Sequence, residues 1–556
     1  MHDDPDATGA ANRVRVGVLC DSLTPPGWVA DILTRIARRD DCEIVLFVRN
    51  ADSASFSERL RRRPLTAIVF ALLNRLESKL SRLISAAADA DRPTERDADL
   101  CAVPVIDVQP EVSPSGLVHR FSPEDCERVR AARCDVLLRF GFAILKGELL
   151  ECANHGIWSF HHGDNQVNRG GPPGFWEWFQ GTAETGTILQ VLTEELDAGS
   201  VINRAWYRTC LLSWNENRRR IFVRSRELLL DSLGRLAADG RVAALERPPV
   251  YSQPLLLAPS LARSGLALLK LAARFLKAAG RRLLLRETWE LAVGDLSNGR
   301  AELRRFTPLV PPRGLFWADP FLLRRDGAEH IFAEEFDFAT GVGRVVCLTL
   351  DGNRVAARRV VMDTGAHFSY PYVFEHDGEL YFCPQDTGAD GIELHRCAGF
   401  PDQWESCGLL VPGVQATDTS IHRLEDRWWM FTNICRNPLD DYGYELHLYW
   451  ADDPVRGPWH PHTGNPVSQD ARFARNGGGL VTLAGGQYRV AQGLTSVYGG
   501  KSQLMRVHRL DTQGYEESLC QEITPDWAPG LDGTHHFHGL GDRAVVDALR
   551  FRWRWR

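Results

Sequence analysis

The spacing of hydrophobic positions changes twice along the chain, near residues 215 and 295. Before residue 215, the apolar runs RVRVGVLC (Arg13–Cys20) and EIVLFV (Glu43–Val48) flank a helical pattern over Val29–Arg39. A strand, a helix and a second strand in this order predict a βαβ unit in a parallel sheet. CDVLLRFGF, which ends at Phe142, and Thr187–Leu192 predict further strands. The first part of the chain therefore predicts a doubly wound α/β domain.

The middle region, 216–295, has the period of amphipathic helices. Arg218–Leu236 predicts one helix and Leu261–Leu285 a second. The second helix carries basic side chains and no acid: Arg263, Lys270, Arg274, Lys277, Arg281 and Arg282. Two interpretations stay open: a helix packed between two domains, or a helix lying on a membrane surface. A further Arg-rich amphipathic stretch, Phe56–Ala88, predicts an insertion in the doubly wound pattern.

The last region contains an internal repeat. WADPFLLRRDGAEHIFAEE, SYPYVFEHDGELYFCPQD and TDTSIHRLEDRWWMFTN share one pattern, in which two strands flank a charged turn, and Pro320 and Pro371 lie 51 residues apart. Weaker copies begin near Asn476 and His535. A period of about 50 residues with a hairpin in each copy is typical of β-propeller blades. Five copies predict five blades. The full prediction is a multidomain chain, with an α/β domain at 12–215, a helical linker at 216–295 and an all-β five-bladed propeller at 296–556.

Composition narrows the functional classes. The 556 residues include 65 Lys and Arg against 72 Asp and Glu, a net charge of −7, which argues against a nucleic-acid partner. The 13 cysteines form no C-x-x-C pair, so neither a disulfide framework nor a zinc site is expected. The polar, acidic first residues and the lack of a long apolar run predict a cytoplasmic location without a signal peptide or membrane span.

The stretch Gly156–Ile202 carries the clearest motifs. They are S-F-H at Ser159–His161, R-G-G-P-P at Arg169–Pro173, E-T-G at Glu184–Gly186 and E-L-D-A-G at Glu195–Gly199. Their order resembles the formyltransferase family that includes methionyl-tRNA and phosphoribosylglycinamide formyltransferases. The resemblance covers most of the first 210 residues. It implies a Rossmann-like domain in which an amine attacks the formyl carbon of 10-formyltetrahydrofolate.

The same resemblance assigns catalytic roles. His161 would handle protons, and Asp197 would hold its tautomer and help collect the amine proton. Ser159 stands where the family has an Asn that stabilises the oxyanion, and loss of such a donor typically costs about 10²–10³ in rate. Three explanations stay open: a neighbour such as His162 or Asn165 substitutes, the acceptor geometry has changed, or the site is inactive.

A folate pocket is implied beside RFGFAI, with the cofactor-binding residues Arg139, Phe140, Gly141, Phe142 and Leu196. Taken as isolated residues, Phe140 and Phe142 would more often belong to a hydrophobic core, and the pocket assignment rests on the resemblance. His162 and Asp164 are predicted to contact the acceptor, although they also fit an ordinary turn. The family's acceptor-binding domain is missing after residue 215, so a tRNA acceptor is not expected.

The repeat starts W-A-D-P and T-D-T-S resemble five-bladed propellers of glycoside hydrolase family 43. They also resemble the propeller domain beside glycosyltransferases such as glucosamine inositolphosphorylceramide transferase. Asp319 and Asp418 match two of the hydrolase carboxylates, whereas Arg475 and Asn476 occupy the segment where the acid Glu is wanted. Glycan binding through Asp319, Asp418, Trp317 and Tyr370 is therefore favoured over hydrolysis. The HHFH segment starting at His535 offers too few ligands on one face, and no metal site is predicted.

Together these patterns predict formyl transfer from 10-formyltetrahydrofolate to an amino group on a sugar nucleotide or glycan, with the propeller recognising carbohydrate. Two alternatives stay open: an inactive glycan-binding protein, and glycoside hydrolysis or transfer in the propeller funnel. A peripheral membrane contact through 261–285 would place the protein on the inner face of a membrane.

Overall fold

The computed structural model describes residues 13–51, 65–82, 90, 92–114, 116–164, 167–195, 199–245, 254–297, 300–386, 388–436, 443–495 and 498–554. The chain divides into two compact units: Met1–Ala205 with Thr209–Arg274, and Trp206–Arg208 with Phe275–Arg556. All 13 cysteines are free thiols. Within the described ranges, no helix has the length and apolar character needed to cross a bilayer.

The helices are α1 Gly27–Ala37, α2 Leu65–Ser81, α3 Ala98–Cys101, α4 Pro123–Ala131, α5 Phe175–Gln180, α6 Trp214–Asp239 and α7 Leu261–Leu284. Short 3₁₀ turns lie at Glu148–Glu151, Leu303–Arg305 and Pro525–Trp527. The strands of the first unit are β1 Val14–Cys20, β2 Cys42–Asn50, β3 Val105–Val108, β4 Glu111–Val112, β5 Val118–Arg120, β6 Val136–Arg139, β7 Ile144–Lys146, β8 Ile157–His161, β9 Arg169–Gly170, β10 Glu184–Val191, β11 Ser200–Arg208 and β12 Leu255–Leu256.

The first unit is built on a seven-stranded sheet in the order β11-β10-β8-β6-β1-β2-β3. The pairs β2–β3, β1–β2, β1–β6 and β6–β8 are parallel, and β10 runs antiparallel to β8. The strand order reverses direction between β1 and β6. In doubly wound sheets such a switch point opens a crevice at the carboxyl ends of the strands, where ligands bind.

Helices α1 and α6 cover this sheet with a continuous apolar cluster. Ile32 and Ile36 of α1 and Leu229 and Leu233 of α6 are buried with the inward residues of β1, such as Val16. Helix α6 begins before the predicted Arg218 because Ser213 caps it, its hydroxyl accepting the Glu216 N–H at 2.9 Å. Of the predicted insertion Phe56–Ala88, the described part forms α2, and the remainder lies outside the described residues.

The second unit consists of five antiparallel sheets. Their strands are β13 Leu285–Ser297, β14 Arg300–Ala301, β15 Thr307–Leu309, β16 Leu315–Arg325, β17 Ala328–Asp337, β18 Val342–Asp351, β19 Arg354–Met362, β20 Phe368–His376, β21 Glu379–Asp386, β22 Gly391–Gly399, β23 Gln403–Pro412, β24 Ala416–Leu424, β25 Arg427–Ile434, β26 Leu446–Ala451, β27 His460–Pro461, β28 Asn476–Leu483, β29 Gly486–Gly493, β30 Lys501–Asp511, β31 Gly514–Ile523, β32 Phe537–Leu540 and β33 Arg543–Trp553.

The five sheets form a closed ring of blades. The innermost strands β16, β20, β24, β28 and β32 contact one another in that order, and β32 returns to β16. The ring is closed by β13, which pairs with the C-terminal strand β33 over Leu285–Asp295. The predicted combination of a doubly wound α/β domain and a five-bladed propeller is confirmed. Residues 216–295, which the sequence predicts as a helical linker, contribute most of α6 to the first unit and β13 to the second.

Candidate functional site

The first candidate site lies at the switch point, where the carboxyl ends of β1 and β6 meet. After β6 the chain turns back against β1, and a Cβ on Gly141 would lie 2.4 Å from the Asp21 backbone nitrogen. Phe142 follows with φ of 63°, and its N–H donates to Asp21 Oδ1 at 2.8 Å. The predicted strand through Phe142 therefore ends at Arg139. Gly141 is required here by the close approach of two backbones.

Arg139 spans the gap between this loop and β8. Its Nε donates to the Ala143 carbonyl, its Nη2 donates to the Phe142 and Ala143 carbonyls, and its Nη1 donates to Ser159 Oγ at 3.0 Å. Burial lowers the pKa of the Arg139 guanidinium, and the negative charge of Asp21 offsets part of this lowering. Among the described residues, no acceptor is assigned to the second hydrogen of Nη1. Arg139 thus brings a half-buried positive charge to the middle of β8.

Ser159 is buried in the middle of β8, opposite Gln190 of β10. Its hydroxyl accepts from Arg139 and lies 3.3 Å from the Phe160 carbonyl, to which it donates. Its hydrogen is therefore directed to the backbone. Sequence analysis predicted Ser159 as the changed oxyanion donor, and the neighbouring Arg139 guanidinium is the stronger donor at this position.

His161 and His162 point into different surroundings at the end of β8. The half-buried His161 lies near Gly163, with 3.2 Å between its Nε2 and a Cβ built on that glycine. The ring of His162 instead packs against Trp28, Phe160 and Phe222, with centroids 5.6, 5.4 and 4.4 Å away. Burial, reinforced by His161, lowers the pKa of His162 to about 3. His162 is thus packed as a neutral ring. Its predicted contact with the substrate that accepts the formyl group stays a prediction.

Two other predicted residues of this site, Asp164 and Phe140, lie in the described part of the chain. Asp164 is buried, and its Oδ2 lies 3.3 Å from Arg204 Nε, while its carbonyl accepts the Val167 and Asn168 N–H groups. Phe140 packs at the edge of the sheet core, and its ring centroid lies 5.7 Å from that of Trp28. Asn165, Leu196 and Asp197 lie outside the described residues.

The second candidate site lies where the innermost strands of the propeller bulge. The pairing of β16, β20 and β24 with their neighbours shifts at Ala318–Phe321, Ser369–Tyr372 and Thr417–Ser420. Each bulge holds one non-glycine residue at positive φ: Asp319 at 50°, Tyr370 at 45° and Asp418 at 52°. Strain of this kind is retained mainly at functional sites. Three of the predicted glycan-binding residues thus occupy the same position in consecutive blades.

Asp319 is linked to the last blade through His535. The Nδ1 of His535 lies 2.6 Å from Asp547 Oδ2, and its Nε2 lies 3.5 Å from Asp319 Oδ1. Burial opposes a charge on His535, but Asp547 and then Asp319 outweigh it and raise the pKa to about 9. Burial also opposes ionisation of Asp319, yet His536, whose Nδ1 lies 3.5 Å from Asp319 Oδ1, and the charge of His535 lower its pKa to about 2. An imidazolium therefore lies between two carboxylates.

Asp418 and Tyr370 connect the remaining blades to this cluster. Asp418 Oδ2 accepts from Arg475 Nε at 2.7 Å, while burial and the charge of Asp319 raise the Asp418 pKa. The Tyr370 N–H donates to Asp319 Oδ2 at 3.3 Å, and its hydroxyl accepts the Gly478 N–H at 3.1 Å. Burial raises the Tyr370 pKa well above its usual value. Every blade therefore supplies a group to the central cluster.

Glu334 is a second carboxyl of the first blade in this cluster. It lies on β17 opposite Ala318, and its Oε1 is 3.7 Å from His367 Nε2. Burial, followed by the charge of Asp319, raises its pKa well above the usual value. Two carboxyls with pKa values displaced in opposite directions are the arrangement that acid–base chemistry uses.

Trp317 has a different environment from Asp319, although only two positions separate them. Its indole Nε1 donates to Glu335 Oε2 at 2.9 Å, and its ring is buried in the core of the first blade. Glu335 Oε1 also accepts a hydrogen bond from Arg344 Nη2 at 2.8 Å. These contacts hold the blade together, and the glycan contact predicted for Trp317 stays a prediction.

Sequence reasoning missed Glu334 and Asp547. The signal available was an acid inside an otherwise apolar strand, in IFAEEF and in AVVDAL. The ligand atoms of Asp319, His535 and Asp547 lie within 4.8 Å of one another and could hold a metal ion. A metal there would have to displace the proton that the two carboxylates retain on His535.

Comparison with known proteins finds two separate similarities. Residues 311–528 match the family described as glucosamine inositolphosphorylceramide transferase 1, N-terminal. Glucosamine inositolphosphorylceramide transferase 1 of Oryza sativa subsp. japonica is 30% identical over 206 residues, which cover 36% of this chain and 27% of that protein. Methionyl-tRNA formyltransferase of Listeria monocytogenes serotype 4a (strain HCC23) is 27% identical over 178 residues, covering 30% of this chain and 54% of that protein.

Among solved structures, the catalytic domain of a GH62 α-L-arabinofuranosidase from Coprinopsis cinerea is 11% identical, with a TM-score of 0.34. This similarity covers 47% of this chain and 97% of the arabinofuranosidase domain. The chain thus spans between about a quarter and about half of the length of the curated relatives named above.

Proposed function

We propose that the first unit transfers a formyl group from 10-formyltetrahydrofolate to an amino group on a sugar, carried as a sugar nucleotide or a glycan intermediate. The observation that carries the proposal is the convergence of Asp21, Gly141, Arg139 and His161 at the carboxyl ends of β1, β6 and β8. The sequence similarity to methionyl-tRNA formyltransferase supports it. A sugar acceptor is favoured because a propeller resembling carbohydrate-active domains belongs to the same chain.

In the proposed reaction, the acceptor nitrogen attacks the formyl carbon, and negative charge develops on the formyl oxygen. The bond from carbon to N10 of the folate then breaks, and the proton lost by the amine reaches N10, leaving tetrahydrofolate and a formamide. His161 moves this proton, assisted by Asp197 in the role its motif predicts. Arg139 stabilises the oxyanion through Nη1, the nitrogen that also donates to Ser159 Oγ, replacing the amide that the family has at Ser159.

The division of roles between Arg139 and Ser159 is the point to test. Arg139→Gln should lower kcat by about 10²–10³, because it removes a charged donor to the oxyanion. Ser159→Ala should cost less than about tenfold, since its hydroxyl is directed to the Phe160 carbonyl. Tetrahydrofolate release would be followed with glucosamine and UDP-glucosamine as acceptors, and thermal melting would verify folding of both variants. A larger loss from Ser159→Ala than from Arg139→Gln would contradict the assignment.

A second candidate function, glycoside cleavage in the propeller, is favoured by Glu334. It supplies the acid that sequence analysis did not find at Arg475 and Asn476. In this reaction Asp319 would take a proton from a water molecule while the oxygen of that water attacks the anomeric carbon. Glu334 would give its proton to the departing oxygen as the glycosidic bond breaks, and solvent would restore both carboxyls. Asp418, Asp547, His535 and Arg475 set the charge around this pair.

Leaving-group dependence separates an acid from a structural residue. If Glu334 protonates the leaving oxygen, Glu334→Gln should lose at least 100-fold on alkyl glycosides and much less on 2,4-dinitrophenyl glycosides, which need no acid. Glu375→Gln, an exposed carboxyl on the neighbouring blade, is the matched control. Equal losses on both substrate types, or no cleavage by the unmodified chain, would refute this candidate.

A further inference from the structure

Helix α7 turns its leucines to solvent. Leu269 is 69% exposed and Leu276, two turns further on, is 75% exposed. The same exposed set includes Leu257 just before the helix and Leu261, Leu266, Leu268, Phe275, Leu283 and Leu284 within it. Surface patches of this extent in soluble proteins mark contacts with another molecule or a membrane.

Four of the basic side chains of α7 lie over aromatic rings: Arg281 lies over Phe551 at 4.0 Å, and the other three contact the first unit. Arg263 lies over Trp176 at 5.4 Å, Lys270 over Phe179 at 4.6 Å and Arg274 over Trp178 at 4.6 Å, all on α5. Lys270 Nζ also donates to the Phe179 carbonyl at 2.8 Å. The helix is therefore attached through cations on aromatic rings, together with the buried Ser264 and Ala267. This mode of attachment leaves the apolar side chains outside.

Helix α2 repeats this arrangement beside Leu261–Arg274, the part of α7 that belongs to the first unit. Phe70 of α2 and Ala267 of α7 belong to one buried cluster with the aromatic residues of α5, and Phe70 lies 5.0 Å from Phe175. Leu72, Leu76 and Leu80, one turn apart along α2, are each more than half exposed. Two helices that share an anchor thus both carry outward leucines.

The charges between these leucines have one sign. Arg75, Lys79 and Arg82, on and just after α2, are exposed, as are Lys277 and Arg282 on α7. In the described part of α2 the acid is Glu77, which is buried against Ser213 and Asn215, and α7 has no acid. A second copy of the chain seated symmetrically on this face would bring like charges together. Anionic lipid head groups complement it.

We propose that, in the first unit, the outer faces of α2 and of α7 up to Arg274 form one docking surface for an anionic lipid bilayer. The leucines of this surface enter the interfacial region while Arg75, Lys79 and Arg82 contact head-group phosphates and carboxylates. With the cytoplasmic location predicted from the sequence, the leaflet concerned is the cytoplasmic one, which carries anionic lipid. The inference does not depend on the formyl-transfer proposal, because it uses none of the residues near Arg139.

Vesicle co-sedimentation of the full chain tests this proposal. Vesicles of phosphatidylcholine with 30% phosphatidylserine should retain the protein at low salt, and pure phosphatidylcholine should retain it at least tenfold less. Leu266→Asn/Leu269→Asn and Leu72→Asn/Leu76→Asn should each weaken binding by about tenfold or more. Arg75→Gln/Lys79→Gln should reduce binding and its dependence on salt. Leu409→Asn/Leu519→Asn, which changes exposed leucines of the propeller, should bind normally.

Three results would overturn the proposal. They are failure to bind the anionic vesicles, equal binding of the leucine variants and the control, and a concentration-dependent dimer that Leu266→Asn/Leu269→Asn dissolves. The last result would identify a second copy of the chain as the occupant. Circular dichroism of each variant would establish that its helices remain folded.

Discussion

Asp547→Asn should change how the stability of the propeller depends on pH. Asp547 is fully buried; its Oδ2 lies 2.6 Å from His535 Nδ1, and its Oδ1 accepts the His535 and His536 N–H groups at 2.9 Å. His535 has a folded-state pKa of about 9, against an ordinary value of 6.5. The stabilisation from a raised histidine pKa is complete below pH 6.5 and is lost as pH rises through 9.

The size of this effect follows from the displacement of the His535 pKa. At 1.36 kcal/mol for each pH unit, the folded propeller should lose up to about 3 kcal/mol between pH 6 and pH 9. Removing the Asp547 charge should abolish most of this slope and destabilise the propeller chiefly at pH 6. The neutral side chain can still accept the two backbone N–H groups, so the blade should stay folded.

Urea unfolding followed by tryptophan fluorescence at pH 6 and pH 9 would measure the slope for each variant. Asp542→Asn is the matched control, since that carboxylate lies in the preceding hairpin turn and is largely exposed. The control should keep the slope of the unmodified chain. Comparing variants cancels titrating groups that do not interact with Asp547, such as buried cysteines. Glu334, whose pKa Asp547 also raises, adds a slope of the same sign that the variant lowers as well. An equal pH dependence in Asp547→Asn and the unmodified chain would refute the assignment of a protonated His535.

Two further predictions concern Gly141 and Arg489, both of which are buried in their units. Gly141→Ala should lower the melting temperature of the first unit and abolish folate binding, because its Cβ would lie 2.4 Å from the Asp21 nitrogen; unchanged melting and binding would contradict this. Arg489→Met should cost about 3–5 kcal/mol of propeller stability in urea unfolding, since Arg489 is fully buried and donates to Glu517 at 2.6 and 2.9 Å. The exposed Arg506→Met on the adjacent strand should cost less than about 0.5 kcal/mol.

The sequence predicts both architectures because each has a periodic signal. The repeat starting at Pro320 and Pro371 marks the blades, and the βαβ pattern from Arg13 marks the parallel sheet. The end of β6 was placed too late because apolar alternation continues through Phe142. The chain leaves the sheet at Phe140 because two backbones meet at Gly141, a contact between distant segments that no local pattern records.

The candidate sites were less predictable than the fold for the same reason. His161 and Ser159 follow from motif order, whereas the link from Arg139 to Ser159 joins two strands and appears only in three dimensions. Glu334 lies in a strand whose sequence resembles the other blades. Its elevated pKa comes from burial beside Asp319, which periodicity does not reveal.

The orientation of α7 could not be derived from its amphipathic pattern. A helix with one apolar and one cationic face can attach by either face, and the usual expectation is that the apolar face turns inward. Here the aromatic residues of α5 bind Arg263, Lys270 and Arg274, which turns the leucines outward. The deciding partner lies more than 80 residues earlier in the chain.

The central claim is that the switch point of the first unit binds a formyl-folate, and calorimetry tests it most directly. Titration of the full chain with 5-formyltetrahydrofolate, a stable analogue of the donor, should give saturable binding at micromolar concentrations. Gly141→Ala should eliminate the signal, while Asp319→Asn in the propeller should leave it intact. Absence of binding at millimolar folate in the correctly folded chain would contradict the claim.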